Sequence, residues 1–291
     1  MLAERLDSQT QAQKHGASGP ESASLVRPCD QSMEGVVCNR FYKLILSTGC
    51  PFHCQYCYLQ LTQGGDHAPV QATNPWPEVE WQLDQITAGV FSTGEGADSL
   101  ATHPPLLRPA IAYFRRQPEK FLFLTTKSAD VSLFLDLEPT PQVWVSFSIN
   151  AVAAWERFES HTPHPYERLA AARALQEAGW RVRVRIDPII AEIGVDHYRD
   201  IAQKVSLLAP ERVTVGTLRK LPGLFSGKRA SAVRHLTSPS GVRFYQETMR
   251  TEIYRRLADW LGFQPALCRE TYELWERLGW EPIACNCTAG A

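Results

Sequence analysis

Apolar and polar positions first fall into a regular pattern near Phe41, where short apolar runs begin to alternate with stretches of helical spacing. The runs at 42–47, 89–93, 121–125, 143–150, 182–189 and 213–218 predict six strands. Between them, 78–88, 105–116, 130–137, 165–178 and 196–208 predict helices. The fourth helix opens at Pro165 and stops at Gly179: proline fits a first helical turn, and glycine accepts the backbone conformation that ends one. Strict alternation of strand and helix makes this an α/β chain on a parallel sheet, either open or closed into a barrel.

Two of the strands break the usual rule that parallel strands read as continuous apolar runs. In 143–150, Ser146, Ser148 and Asn150 share one face, opposite Val145, Phe147 and Ile149. In 181–186, Arg181, Arg183 and Arg185 alternate with Val182, Val184 and Ile186. If the apolar faces pack on helices, the polar faces line the inside of a curved sheet. Each arginine there needs either an internal carboxylate or an anionic ligand, since unpaired buried charge is very costly. With either partner, the interior is polar enough to be a site.

Composition narrows the class. The 291 residues allow one large domain or two small ones, and 44% hydrophobic residues argue against disorder. The 30 basic and 31 acidic side chains exclude a uniformly basic nucleic-acid binder. No run approaches the roughly 18 apolar residues of a membrane span, and the first thirty residues lack the apolar core of a signal peptide. A cytoplasmic protein without a membrane partner is expected. Residues 1–35, rich in Gln, Ser, Ala and Gly, read as a flexible N-terminal arm, 36–220 as the barrel domain and 221–291 as a C-terminal extension. Charge is segregated locally: 211–256 holds ten basic residues and three acidic ones, through either a solvated helix face or a phosphate-bearing partner.

Eight cysteines in such a chain suggest metal ligation or catalysis rather than disulfides. Cys50, Cys54 and Cys57 lie within TGCPFHCQYCYL (48–59), directly after the first strand. Three thiolates on one loop can reach one metal centre but are one short of a closed site, so a vacant coordination position is implied. Zinc with His53 as fourth ligand is the alternative.

The segment CPFHCQYCY resembles the signature of the radical S-adenosylmethionine superfamily, and from about residue 41 to about 218 the chain is similar to spore photoproduct lyases and their relatives. The resemblance implies a partial (β/α)6 barrel with a cysteine-containing C-terminal extension. It further implies a [4Fe-4S] cluster on Cys50, Cys54 and Cys57, chelation of its fourth iron by S-adenosylmethionine, and reductive cleavage to a 5'-deoxyadenosyl radical. Tyr56 and Tyr58 match tyrosines implicated in hydrogen transfer. Lys127, in FLFLTTKS, and Ser148, in FSINA, match positions that contact the cofactor, and RLAAARALQEAGW (168–180) resembles the lyases' corresponding helix. Gly94 and Glu95 resemble the glycine–glutamate element that receives the cofactor's amino group through a charge-assisted hydrogen bond. Asn150 and Arg185 complete the expected cofactor set. One departure stands out: where the lyases have a cysteine that returns hydrogen to the product, this chain has Glu95, and a carboxylate cannot donate a hydrogen atom as a thiol does.

The tail holds a second group. Cys268, Cys285 and Cys287, with Cys38 or Cys29 as fourth ligand, supply the four thiolates of a second iron–sulfur cubane. Zinc and free or redox thiols are the rivals. The function implied is a radical enzyme that abstracts hydrogen from an anionic substrate: a nucleotide, a nucleic acid or a small metabolite. Its implied partner is a reductant such as flavodoxin or ferredoxin. The alternatives are a DNA photoproduct lyase with a non-cysteine hydrogen donor, and a non-catalytic metal module whose cysteines are structural.

Overall fold

The main sheet runs in chain order through eight strands: β1 (Val26–Cys29), β2 (Phe41–Leu44), β3 (Gly89–Ser92), β4 (Lys120–Thr126), β5 (Val143–Ser148), β6 (Arg181–Ile189), β7 (Arg212–Thr217) and β8 (Ala266–Leu267). These strands come from a computed structural model that describes residues 24–29, 35–38, 40–62, 68–224, 235–237 and 242–289. Strands β2 to β7 are the six that periodicity predicts. Each is parallel to its neighbours among them, and β8 is parallel to β7. Only the first pair, β1 with β2, is antiparallel.

Among the described residues, seven helices of seven or more residues accompany the strands: α1 (Trp76–Asp84), α2 (Leu107–Arg115), α3 (Val152–Phe158), α4 (Pro165–Glu177), α5 (Arg199–Leu208), α6 (Glu247–Leu261) and α7 (Tyr272–Leu278). The stretch at 130–137 forms a single turn, Ser132–Leu135. Helix α4 starts as its sequence requires. Pro165 occupies the first turn, the His164 ring accepts from the Tyr166 amide, and Glu167 reaches back to the His164 amide.

The alternation along the strands sorts the two faces. Leu122, Leu124, Val143, Val145, Phe147, Val182, Val184, Ile186, Val213 and Val215 are buried under the helices in one apolar core. On the inner face the register sets Thr125, Ser146, Arg183 and Arg212 in one row and Ser148, Arg185 and Thr214 in the next. The result is a partial barrel with an apolar coat and a polar lumen.

The lumen arginines find carboxylates inside the protein. Arg181 and Arg183 both pair with Glu211, the second at 2.8 Å, and Arg185 and Arg219 flank Asp187 at 2.8 and 3.1 Å. Five of the ten basic residues at 211–256 also have partners within the protein, Arg219 among them. Arg250 pairs with Glu270, Arg256 with Asp196, and Arg255 and Arg212 donate to carbonyls. Lys228, Arg229 and Arg234 lie outside the described residues. Of the two readings of the arginines on β6, the internal carboxylate is therefore the one the structure shows.

Two boundaries differ from expectation. Residues 1–23 and 30–34 of the expected arm lie outside the described residues, but Val26–Cys29 is a strand. It pairs along β2, and its Leu25 and Val26 amides donate to the Gln82 side chain at 2.9 and 3.1 Å. The stretch after 220 is also built into the barrel: β8 extends the sheet, and the fully buried Asn286 sits within the lumen. Among the described residues, no helix is long and apolar enough to cross a membrane.

Candidate active site

Strand β2 releases the chain at the C-terminal edge of the sheet into the cysteine loop. Gly49 takes φ +82°, and a Cβ there would stand 2.3 Å from the Ala68 carbonyl oxygen, so the turn before Cys50 requires glycine. Cys54 lies in the two-residue strand His53–Cys54, which pairs antiparallel with Glu159–Ser160, and the Cys57 amide closes onto the Cys54 carbonyl at 3.0 Å. Cys50 and Cys54 are buried and Cys57 is half-buried.

Burial pushes the Cys50 thiol up to about 11 and Cys54 to about 12, and raises Cys57 as well. Lys127 opposes this at Cys54 and Cys57 by favouring their thiolates. Among the described residues, no three thiol, imidazole or carboxylate groups already stand gathered at metal-ligand spacing. The donor chemistry nonetheless fits a cluster. Three soft ligands on one loop, with a lysine ready to offset their charge, suit iron–sulfur ligation with one corner left free. Alternation along the short strand turns His53 away from Cys54 and out to solvent, where its ring meets His161 edge-on at 5.1 Å. The zinc alternative thereby loses its fourth ligand.

Behind the loop lies a buried polar network that the sequence did not reveal. Glu159 accepts hydrogen bonds from the Tyr56 hydroxyl, from Arg168 at 2.6 Å and from Asn150 at 3.1 Å. Burial alone would raise the Glu159 carboxyl, but Lys127 and Arg168 outweigh it and hold the group below its ordinary value. Lys127 also stands 5.5 Å over the Tyr56 ring. Arg168 donates further to the Ser148 carbonyl at 3.0 Å and to the Thr162 hydroxyl at 2.6 Å. The structure thus brings Tyr56, Lys127, Ser148 and Asn150 together, but through Glu159 and Arg168. Asn150 spends its amide here: it donates to Glu159 and to the Pro188 carbonyl and accepts from the Ala151 amide. Its expected cofactor role has no donor left to serve it.

The other candidates sit across the mouth. Tyr58, 36% exposed, donates to the backbone carbonyl of Glu95. Gly94 packs so closely on Thr125 that a Cβ would meet its side chain at 3.1 Å. Burial raises the Glu95 carboxyl, against the pull of Lys43, Arg185 and Arg269. Asp98, also missed by pattern, is buried and accepts from the Lys127 amide at 2.6 Å and the Thr126 hydroxyl at 2.7 Å, which fixes the end of β4. Arg185 is drawn away from the first loop, bonding Asp187 at 2.8 Å and the Cys268 sulfur at 3.1 Å.

Known proteins share this fold. The family model for spore photoproduct lyase matches residues 35–218, more than half of the chain. The spore photoproduct lyase of Bacillus subtilis (strain 168) is 30% identical over 183 residues, covering 59% of this chain and 53% of the relative. That of Geobacillus sp. (strain Y412MC61) is 30% identical over 176 residues, covering 57% and 51%. The chain thus spans about half the length of the curated relatives it matches. A solved spore photoproduct lyase complexed with dinucleoside spore photoproduct superposes with TM-score 0.66 at 21% identity, over 78% of this chain and 75% of that one. Streptococcus suis SuiB bound to S-adenosylmethionine gives 0.57 at 12% identity, over 79% and 50%. With the cysteine loop, the partial barrel and the family match in agreement, this chain belongs to the spore photoproduct lyase family of the radical S-adenosylmethionine superfamily.

Proposed function

We propose that this chain reverses a thymine photoproduct in DNA by radical chemistry at the mouth of the barrel. The observation that carries the reading is the loop of Cys50, Cys54 and Cys57 at the C-terminal edge of a parallel partial barrel, where barrel active sites are built, with Lys127 and Glu95 close by. A [4Fe-4S] cluster on those thiols, with S-adenosylmethionine bound and an electron from a flavodoxin- or ferredoxin-like reductant, supplies a 5'-deoxyadenosyl radical. The chain's own residues bind, orient and screen. Lys127 offsets the charge of the thiolates, and the Glu95 carboxylate receives an ammonium group. Ser148 lines the inner face beside them.

The family and the pairing of the lumen arginines both support this substrate reading. A solved relative is complexed with dinucleoside spore photoproduct. The lumen arginines are engaged by Glu211 and Asp187, which argues against a small, multiply charged metabolite inside the barrel. Glu95 stands where the lyases have a hydrogen-donating cysteine, so another group must return the hydrogen. Tyr58 is the residue we assign: its phenol reaches the mouth, whereas Tyr56 is locked behind it by Glu159. The tyrosyl radical left when the Tyr58 O–H hydrogen passes to the product radical is restored by a second electron from the same reductant and a proton from water.

The test incubates anaerobically reconstituted, reduced protein with S-adenosylmethionine and dinucleoside spore photoproduct, and follows the substrate, the repaired thymines and 5'-deoxyadenosine chromatographically. Repair is expected from the native chain, and Tyr58→Phe is expected to keep 5'-deoxyadenosine formation while losing repair. Formation of 5'-deoxyadenosine by the native chain without consumption of photoproduct, there or in irradiated DNA, overturns the substrate. It would favour hydrogen abstraction from a different molecule, the reading to which Glu95 points.

A further inference from the structure

The C-terminal tail enters the barrel in a way that ordinary core packing does not demand. Asn286 is fully buried in the lumen. Its amide donates to the Thr214 hydroxyl at 2.9 Å, its side-chain oxygen accepts from the same hydroxyl at 2.8 Å, and its NH2 donates to the Ser146 hydroxyl at 2.9 Å and the Val184 carbonyl at 2.8 Å. Arg212 holds the carbonyls of Cys285 and Thr288 at 3.0 and 2.9 Å, and Arg183 holds those of Asn286 and Thr288. With Asn286 as the anchor, the residues on either side present their sulfurs together: Cys285 and Cys287 are 3.0 Å apart, Sγ to Sγ.

Two further thiols come to the same place from elsewhere in the chain. Cys268 follows β8, its amide bonded to the Val215 carbonyl at 2.8 Å, and its sulfur accepts from Arg185 at 3.1 Å and Arg219 at 3.7 Å. Residues 35–38 run against 270–272, with the Val37 amide on the Glu270 carbonyl at 2.9 Å and the Tyr272 amide on the Gly35 carbonyl at 3.0 Å. That contact delivers Cys38 to the group, within electrostatic range of Cys285, Arg219 and Arg185. Cys268 is in range of Cys285, and Cys287 of both Cys285 and Cys268. Cys29 is buried in an apolar cluster with Phe41, Val90, Phe123 and Trp144, and Cys287 packs against that cluster from the tail.

We infer that Cys38, Cys268, Cys285 and Cys287 bind a second iron–sulfur cubane in the lumen, fully ligated by protein, with Arg185 and Arg219 as its counter-charges. Thiols brought to one place beside two guanidinium groups are a donor set that a metal centre takes up as thiolates. The cubane they would complete is anionic, and guanidinium N–H groups aimed at a ligating sulfur, as from Arg185 and Arg219 to Cys268, stabilise it. Asp187, shared by the two arginines, keeps both forks oriented, and Gly216 leaves it room, since a Cβ there would stand 2.9 Å from the Asp187 carboxyl. Structural zinc is the weaker fit. It usually holds together a fold too small to have a core, and this lumen belongs to a barrel with a large one. The separation of the four thiols before metal enters has a precedent in the same chain, because Cys50, Cys54 and Cys57 are no more tightly gathered. With Cys38 in place no iron corner is open, so substrate does not bind at this cluster.

The experiment is iron, sulfide and zinc per full-length chain after anaerobic reconstitution. About eight irons are expected in the native protein and about four in the Cys50/Cys54/Cys57 triple alanine variant. The paired variant Cys285→Ser with Cys287→Ser is expected to keep about four as well, which covers the case in which the triple variant does not fold. Cys38→Ala is expected to lose iron or shift the electron paramagnetic resonance of the reduced second cluster, and Cys29→Ala to do neither. About four irons in place of eight in the native chain overturns the second cluster, as does a folded but iron-free triple variant or zinc in place of iron. An unchanged Cys38→Ala overturns that residue as the fourth ligand. Because the count is read where the first site has been removed, it stands whether or not S-adenosylmethionine is ever cleaved.

Discussion

Replacing Cys54 by alanine is expected to reduce 5'-deoxyadenosine formation to background, as large a catalytic effect as loss of any of the three loop thiols. Cys54 is 5% exposed and held on both sides, by its pairing with Glu159–Ser160 and by the Cys57 amide on its carbonyl. No other cysteine of the loop can move into its place without undoing the strand. With two thiolates left, the loop is two short of a cubane's usual complement, and a cofactor that occupies one corner cannot make up the difference. Chromatography of the products after reduction in the presence of S-adenosylmethionine reads the effect directly. Undiminished 5'-deoxyadenosine from Cys54→Ala would remove the cluster from this loop, and with it the proposed function. Since Cys54 lies apart from the tail thiols, the variant should keep the iron assigned to them.

The six central strands were legible because their apolar runs are long and sharply bounded, and the helices between them repeat the same alternation. The strands at the two edges were not. VRPC at β1 has an exposed arginine and proline and no run of its own, and β8 is two residues long. Both owe their conformation to the neighbour they pair with rather than to their sequence. Helix α3 was missed for a related reason: it follows β5 after three residues and spans only Val152–Phe158, too short for its period to register.

The site was legible where chemistry depends on spacing along the chain and illegible where it depends on contact across it. Cys50, Cys54 and Cys57 announce themselves within eight residues. Glu159, in the polar segment ESHTPHP, looks like an acid in a surface loop, yet it is 3% exposed and gathers Tyr56, Asn150 and Arg168. The arginines of β6 were recognised as inward-facing from their alternation with Val182, Val184 and Ile186. Their partner Glu211 stands nearly thirty residues on, and only the parallel register of β6 with β7 brings it opposite. The basic excess at 211–256 could not be apportioned from sequence for the converse reason: Arg219, Arg250 and Arg256, close along the chain, form separate ion pairs at Asp187, Glu270 and Asp196.

The Glu159→Gln substitution tests that hidden network, and its effect on stability should be the largest outside the apolar core. The side chains of Glu159 and Arg168 are both fully buried, so removing the carboxylate strands a guanidinium with no water to replace its partner. Breaking such a pair costs about 3–5 kcal/mol, several times what an exposed ion pair contributes. The amide keeps the shape of the carboxylate but sets an NH2 against the donors of Arg168 or Asn150, and recovers little. The pH dependence gives an independent signature. Glu159 titrates below its ordinary value of 4.5 in the folded chain, so its contribution is complete above that value and is lost as pH falls through the lower, folded one. Native protein should therefore lose stability on acidification faster than Glu159→Gln, which has already lost that term at neutral pH. Urea midpoints across a pH series measure both effects. A variant as stable as the native chain at pH 7, or curves that stay parallel into acid, would show that Arg168 is held by its carbonyl and hydroxyl contacts at Pro163, Ser148 and Thr162 alone. A double-mutant cycle with Arg168→Met separates the pair from those contacts: if the ion pair dominates, the second substitution should cost far less in the Glu159→Gln background than in the native one.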